Sequence, residues 1–180
     1  MLRGAGVLRA VWVHIRKSRI RPRRDPMKTL IAALTFAALG TAAQAQDFYV
    51  GGTADYHFPH SGDAQTVASV VAGMGLGSGA FGIGAEAEAG FRIAGDNDYD
   101  TSRVRIWTSY DWGDYTLRFA GGVTEYYFDA GTAGGFNFGL GAERAISDTL
   151  TLRGEFIRDF MDTDFTSDVT TTRVAVIYNF

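Results

Sequence analysis

The chain has 180 residues, a length that suits one domain, and it contains no cysteine. Neither a disulfide framework nor a thiolate metal site is therefore available. The formal net charge is −3, but residues 46–180 hold eight arginines, no lysine and nineteen of the twenty carboxylates, a formal charge of −11. This acidity disfavours nucleic-acid binding, because the phosphate backbone is itself anionic.

A cleavable secretory signal peptide is predicted at residues 27–45. Met27 is followed by a lysine, residues 29–39 form an apolar run, and Ala43-Gln44-Ala45 is a cleavage site. The apolar run is shorter than the ~20 residues that a membrane-spanning helix needs, so a permanent helical anchor is the poorer interpretation. Residues 1–26 precede this complete signal and are interpreted as a misassigned extension. The alternative is a basic segment for nucleic acid or anionic lipid.

Residues 46–180 alternate apolar with polar or small side chains in eight segments, which predicts eight β-strands of about ten residues each. The segments cover 48–58, 66–76, 81–93, 103–112, 115–124, 136–143, 150–156 and 170–180. In the third, apolar residues from Phe81 to Ile93 alternate with glycine, glutamate and arginine only. The alternation is lost at 125–128, and a loop is predicted at 129–134.

The predicted connections alternate in length. Those after strands one, three, five and seven are longer and rich in Asp and Gly, including an acidic loop from Asp159 to Asp168. Those after strands two, four and six have about two to four residues. This pattern is expected of an up-and-down barrel with loops on one side of a membrane and tight turns on the other.

The two faces of the predicted strands differ in a way that favours a barrel turned inside out. One face is bulky and apolar, while the other is crowded with glycine, threonine and charged residues, which suits a narrow lumen facing away from lipid. Charges on the inner face are expected to pair with one another. The predicted lumen charge network comprises Glu86, Glu88, Arg92, Arg105, Arg118, Glu143, Arg153, Glu155 and Arg173.

Two segments of the chain resemble a known family. Residues 136–160, FNFGLGAERAISDTLTLRGEFIRDF, and 170–180, TTTRVAVIYNF, resemble the last three strands of the OmpA-like and opacity-type small outer-membrane barrels of the porin family. The resemblance implies an all-β fold, an eight-stranded antiparallel up-and-down transmembrane β-barrel in the bacterial outer membrane. It also implies that Val176, Tyr178 and Phe180 form a C-terminal signal for the barrel-assembly machinery.

Three groups of residues are candidates for chemistry. His57 and His60 with Ser61 suggest a nucleophile and base at the barrel rim, although a polar loop is the simpler interpretation. The acidic stretch from Asp96 fails as a calcium loop, because its sixth position is Thr101 and its twelfth is Trp107. Glu86 and Glu88 suit a salt-bridge lattice better than acid–base catalysis. No catalytic residue, cofactor or metal site is predicted.

The predicted function is a structural or surface-interaction role, in envelope integrity or adhesion, with at most a narrow pore. The expected partners are outer-membrane lipid and lipopolysaccharide, the barrel-assembly machinery, and a surface ligand bound through the extracellular loops. The alternative is a lipid-modifying barrel enzyme that uses the first-loop histidine and serine residues.

Overall fold

The computed structural model describes residues 47–95, 99–162 and 167–180. The predicted extension at 1–26 and signal peptide at 27–45 lie outside the described residues. Within the described ranges, the regular elements are eight strands: β1 (Asp47–Pro59), β2 (Gln65–Ser78), β3 (Phe81–Gly95), β4 (Tyr99–Trp112), β5 (Tyr115–Phe128), β6 (Gly131–Ala145), β7 (Leu150–Met161) and β8 (Val169–Asn179). Among these residues no helix is long and apolar enough to cross a membrane.

The strands form one closed antiparallel barrel. Each strand pairs with its neighbour in the chain, and β1 pairs with β8 to complete the ring. Closure leaves no unpaired sheet edge, so every strand can satisfy its backbone groups within the sheet. The predicted fold class, an eight-stranded antiparallel up-and-down barrel, is confirmed.

The strand register determines the tilt of the strands. Starting at His57 on β1, we move from each residue to its paired partner on β8, then β7, and so on to β2. The path returns to β1 at Asp47, ten residues from where it began, and this offset is the shear of the barrel. With ~3.3 Å per residue and ~4.8 Å between strands, this shear corresponds to a tilt of about 40°. Each residue then advances about 2.5 Å along the axis, so about ten residues cross the ~25 Å apolar band typical of outer-membrane barrels.

The exterior of the barrel is apolar. Ile106 and Phe156 on outward positions are 70% and 66% exposed, whereas Ile157, the next residue along β7, is 1% exposed. Large apolar side chains cover the outward positions of the strands in the same way. A continuous exposed surface of this kind is unstable in water and is suited to contact with lipid.

The loops are shorter than predicted. The connection between β5 and β6 is the two-residue turn 129–130, so the loop expected at 129–134 was wrong. The alternation continues through 125–128, because Tyr126 is buried inside the barrel while Tyr127 faces out. Because these two adjacent tyrosines have the same chemistry but lie on opposite faces, the period-two pattern is not visible in the sequence there. The connections 60–64 and 162–168 are the longest at the loop end, and 146–149 is the longest at the turn end.

Candidate functional site

The lumen is filled by ion pairs, and Glu86 is the centre of its turn-end half. One carboxylate oxygen of Glu86 accepts a hydrogen bond from Arg105 Nη2 at 2.6 Å. The other accepts from Arg118 Nη2 at 2.7 Å, Arg153 Nη1 at 3.0 Å and the Tyr49 hydroxyl at 2.8 Å. One buried carboxylate is therefore shared by three guanidinium groups from three different strands.

Two further glutamates complete this half of the lumen. Glu155 on β7 forms a bidentate pair with Arg105 on β4, with N–O distances of 2.7 and 2.8 Å. Glu143 accepts from Arg153 Nε at 2.6 Å and lies 3.5 Å from Arg118 Nη1. Because Arg105 links Glu155 to Glu86 on β3, its guanidinium group bridges the interior from one wall to the other.

The loop-end half repeats the arrangement with two arginines. Arg103 binds Asp159 through Nε at 3.1 Å and Nη2 at 2.8 Å, and it binds Glu88 through Nη1 at 2.7 Å. Arg173 binds Asp55 through Nε at 2.8 Å and Nη2 at 2.6 Å, and its Nη1 lies 2.6 Å from Glu88. Glu88 joins the two arginines and so links β3, β4 and β8.

Within the described residues, this lumen network has five arginines and six carboxylates. The members are Asp55, Glu86, Glu88, Arg103, Arg105, Arg118, Glu143, Arg153, Glu155, Asp159 and Arg173. Guanidinium groups suit it because each presents several donors in a fixed plane. Because removing charges from water is costly, an intact buried ion pair adds little net stability, whereas loss of one partner is strongly destabilising.

The structure brings together eight of the nine charged residues predicted to face the lumen. Arg92 is the exception: its side chain is exposed, and Nη1 donates to the Gly95 carbonyl at 2.8 Å. Pairing of β3 with β4 ends at Gly90, and a bulge opposite Thr66 follows, so Arg92 lies at the rim beyond the enclosed lumen.

Three members of the network were absent from the predicted set, namely Asp55, Arg103 and Asp159. Each is in phase with inward neighbours: Asp55 with Thr53 and His57, Arg103 with Arg105, and Asp159 with Arg153 and Glu155. The predicted acidic loop wrongly included Asp159, which belongs to β7. Asp55 and Arg103 already lie on the inward face of the predicted segments 48–58 and 103–112, whereas Asp159 required the seventh segment to be extended beyond 156.

An aromatic group closes the lumen above the ion pairs. His57, Tyr99 and Tyr126 stack with ring centroids 4.7 to 6.1 Å apart. His57 Nδ1 lies 3.2 Å from the Tyr99 hydroxyl, and Tyr126 donates to Asp159 at 2.8 Å. We call these three residues, with the buried side chains of Ala133 and Val169, the loop-end plug.

At the opposite end, Trp107 fills the lumen below the ion pairs. Its indole lies against Gly75 and Gly84, and the Arg118 guanidinium carbon lies over the ring, 4.2 Å from its centroid, in a cation–π contact. A cavity of about 230 Å³ beside it is lined by Tyr49, Trp107 and Glu143, among others. The cavity belongs to the turn end and stops at the ion pairs.

The candidate catalytic residues do not form a nucleophile and base pair in the described part of the chain. His57 is buried in the loop-end plug, whereas the backbone N–H of His60 donates to the Asp168 carbonyl at 2.8 Å. Ser61 contacts Ser167, which accepts from the Ser61 N–H at 3.1 Å. No cluster of three metal-ligating side chains occurs among the described residues. The acidic stretch from Asp96 lies partly outside them.

The three C-terminal residues singled out in the sequence, Val176, Tyr178 and Phe180, face outward at the barrel seam. The Tyr178 and Phe180 rings meet edge to face at 5.2 Å. The Phe180 N–H donates to the Phe48 carbonyl at 3.0 Å, so Phe180 links the last strand to the first at the turn end of the barrel.

Comparison with known proteins supports the fold. No family model and no curated protein matches the chain. Among solved structures, it is similar to Ail, the attachment invasion locus protein of Yersinia pestis, with a TM-score of 0.55 and 9% identity over 77% of this chain and 100% of that chain. It is also similar to Neisserial surface protein A, with a TM-score of 0.54 and 11% identity over 78% of this chain and 100% of that chain. The N-terminal barrel domain of Pseudomonas aeruginosa OprF is similar as well, with a TM-score of 0.52 and 8% identity over 73% of this chain and 97% of that chain.

At these low sequence identities, the similarity to solved structures establishes the fold only. The apolar exterior of the barrel is a second, independent observation. An apolar band around a closed barrel with an ionic interior is the arrangement that a bilayer requires. By its fold, the chain is an eight-stranded antiparallel β-barrel similar to small bacterial outer-membrane barrels, and its apolar exterior suits contact with a lipid bilayer.

Proposed function

We propose that this protein is a sealed structural barrel of the outer membrane that presents a compact acidic rim at the cell surface. The observation that carries the proposal is the pair of cross-lumen contacts from β4 to β7, formed by Arg103 with Asp159 and Arg105 with Glu155. Strands four and seven are not neighbours, so these guanidinium groups lie across the axis. With the loop-end plug above them, they oppose steady conduction.

The loop end supports a role in surface interaction. His60 N–H to Asp168 and Ser61 N–H to Ser167 connect the first loop to the last, and the Ser167 hydroxyl donates back to the Ser61 carbonyl at 3.3 Å. Asp168 also accepts from the Met161 N–H at 3.1 Å. A rim whose loops are tied in this way is partly preorganised, which lowers the entropic cost of binding.

The acidic character of the rim suggests its partners. Asp63 and Asp162 lie on the two longest loop-end connections, together with Asp168, whose charge is matched by Arg158, and 60–64 holds no basic residue other than His60. This chemistry suits a basic surface ligand, or lipopolysaccharide bridged by divalent cations. The similar protein Ail is described as an attachment invasion locus protein, which is consistent with testing adhesion here.

The sealed lumen is tested by reconstituting the mature protein in planar bilayers. Folding is first verified by heat-modifiability: the folded barrel should migrate differently on a detergent gel before and after boiling. We expect no steady open state, only brief openings of low conductance. A stable open channel in a heat-modifiable preparation would contradict the proposal.

The surface role is tested separately, by replacing residues 60–64 with a glycine-serine linker of equal length. The barrel should remain heat-modifiable, while attachment of cells to a positively charged surface should decrease. Unchanged attachment would leave the structural role and contradict the surface role.

We also propose that the protein has no lipid-modifying activity, since His57 is held in the plug and Ser61 contacts Ser167. The alternative predicts a nucleophile at the rim and therefore a change in lipid A when His60 and Ser61 are both replaced by alanine. Mass spectrometry of extracted lipid A should give identical profiles with and without the substitutions. A product lost from the variant would support the enzyme instead.

A further inference from the structure

An apolar groove lies on the lipid-facing side of β4, β5 and β6. It is an open depression of about 670 Å³, and Gly121 on β5 forms its floor between the outward side chains of Phe119 and Val123. Ile106 and Phe138 form its two walls. Because Gly121 has no side chain, the row of large outward residues is interrupted at this point and leaves an elongated depression.

The depression depends on that glycine. A Cβ atom added at Gly121 would lie 3.1 Å from Cδ1 of Phe138, so the aromatic wall already stands close to the floor. Any larger residue would fill the space between Phe138 and Ile106. Gly154 is also outward, on β7, but a Cβ atom there would meet nothing within 4 Å. Among the described residues, the groove is lined from β4–β6 and by Ile83 of β3, and not from β7.

An exposed arginine lies at the turn end of the same face. The Arg144 guanidinium carbon is 5.6 Å from the centroid of the Tyr115 ring. Within the described part of the chain Arg144 forms no ion pair, although the adjacent turns contain Asp114 and Asp148. A charged side chain on the exterior of a barrel is tolerated at the membrane interface, where lipid phosphates can pair with it.

Arg158, the other arginine on the outward face of the strands, does form an ion pair. Arg158, toward the loop end of β7, donates to Thr170 at 2.7 Å and to Asp168 at 3.1 Å. It also lies 5.7 Å from the centroid of the Phe160 ring. Arg158 and Arg144 thus each have an aromatic neighbour, but the charge of Arg158 is already matched by a carboxylate.

The distance from Arg144 to the groove matches one leaflet of a membrane. From Tyr115, which Arg144 contacts, to Gly121 is six residues along β5, or about 20 Å at ~3.3 Å per residue. At a tilt of about 40° this is about 15 Å along the barrel axis. Half of the ~25 Å apolar band is similar, so a lipid with its phosphate at Arg144 would place the end of a chain near Gly121.

We propose that this face binds one glycerophospholipid of the periplasmic leaflet, with its phosphate on Arg144 and one acyl chain in the groove at Gly121. The proposal rests on the orientation of the function proposed above, in which the loops are at the cell surface and the turns are in the periplasm. It goes beyond that function, since it assigns the exterior a defined lipid site.

The site is tested with the processed protein extracted from outer membranes in a mild detergent. Phosphatidylglycerol with two sixteen-carbon chains is titrated, and bound lipid is counted by native mass spectrometry. Arg144→Gln is expected to weaken binding of the first lipid roughly threefold to tenfold, as loss of one charge-assisted contact predicts. Gly121→Leu, which fills the groove, should weaken it similarly. Unchanged binding by Arg144→Gln would overturn the proposal.

Matched variants control for charge and for bulk. Arg158→Gln removes the other outward arginine, and Gly154→Leu adds the same side chain outside the groove; both should bind lipid as the unmodified protein does. Equal losses in Arg158→Gln and Arg144→Gln would overturn the site. Each variant is first shown to be heat-modifiable.

A further measurement uses the unmodified protein and so does not depend on whether a variant folds. Phosphatidylglycerol with six-carbon chains reaches too short a distance to fill the groove and should bind several-fold more weakly, whereas equal affinity would overturn the proposal. The orientation is measured independently by labelling the thiol of Ser61→Cys in intact cells. If Ser61→Cys were not labelled, the proposed function would be contradicted. The number of lipids bound in detergent, counted by native mass spectrometry, would still show whether the lipid site exists.

Discussion

Arg103 on β4 and Asp159 on β7 form a bidentate ion pair across the lumen, with N–O distances of 3.1 and 2.8 Å. Both side chains are inaccessible to solvent. The same guanidinium group also binds Glu88. Since β4 and β7 are not neighbours in the sheet, this contact, like that of Arg105 with Glu155, fixes the distance between opposite walls.

Replacing Arg103 by alanine is expected to lower the free energy of unfolding by about 3 to 5 kcal/mol, the range found when one partner of a buried ion pair is removed. The physical reason is that Asp159 would keep its buried charge without an arginine, while Glu88 would retain only Arg173. Urea titration of the barrel in detergent, followed by tryptophan fluorescence, measures the change.

The control for this prediction is Arg158→Ala. Arg158 and Asp168 form an ion pair at 3.1 Å with both side chains 37% exposed. Exposed pairs contribute about 0 to 1 kcal/mol, because solvent screens the charges. If both substitutions lowered stability equally, burial would not be what makes the Arg103 pair important.

A second prediction concerns the hydroxyl of Tyr126 in the loop-end plug. It donates to Asp159 at 2.8 Å and is fully buried. Tyr126→Phe should lower the free energy of unfolding by roughly 1 to 3 kcal/mol, since a hydrogen bond to a charged acceptor is lost and the ring is kept. Tyr56→Phe, on an outward and 44% exposed tyrosine, is the control and should change little.

The fold was predictable because the two faces of most strands differ sharply in chemistry. Along β3, for example, Ala85 and Ala87 face out while Glu86 and Glu88 face in, and between positions 81 and 93 no residue type is shared between the faces. Alternation of side chains by strand geometry is a local property, so it needs no knowledge of the partner strand.

The loop end of the site was harder to predict, because there the two faces have similar chemistry. Tyr126 points inward and Tyr127 outward, and the buried Asp159 is followed shortly by the exposed Asp162, which lies beyond the end of β7. Which carboxylate meets which arginine also depends on register between distant strands. Arg103 and Asp159 are separated by 56 positions, and no sequence period encodes that pairing.

A third prediction addresses the packing of Trp107 at the turn end. A Cβ atom at Gly75 would lie 2.6 and 2.7 Å from two atoms of the Trp107 ring. Gly75→Ala should therefore cost about 1 to 3 kcal/mol by overpacking. In a Trp107→Ala background the same change should cost clearly less, because the clash is gone, and a double-mutant cycle isolates the coupling.

The control for overpacking is Gly52→Ala, since a Cβ atom at Gly52 would meet nothing within 4 Å. Its effect on unfolding in urea should be small in either background. A cost at Gly75 that persisted after removal of Trp107 would show that backbone effects in the strand, and not the indole, require glycine there.

The last prediction separates assembly from stability at the C-terminus. Phe180 is 72% exposed, and its backbone N–H provides the bond to Phe48, so loss of its ring should hardly change the stability of the folded barrel. If Val176, Tyr178 and Phe180 act as the assembly signal, Phe180→Ala should instead reduce the amount of heat-modifiable protein in the outer membrane several-fold. Phe81→Ala is the matched control, because Phe81 is 64% exposed at the turn end of β3. Equal yields of the two variants, at equal stability in urea, would refute the role of the terminal aromatic ring in assembly.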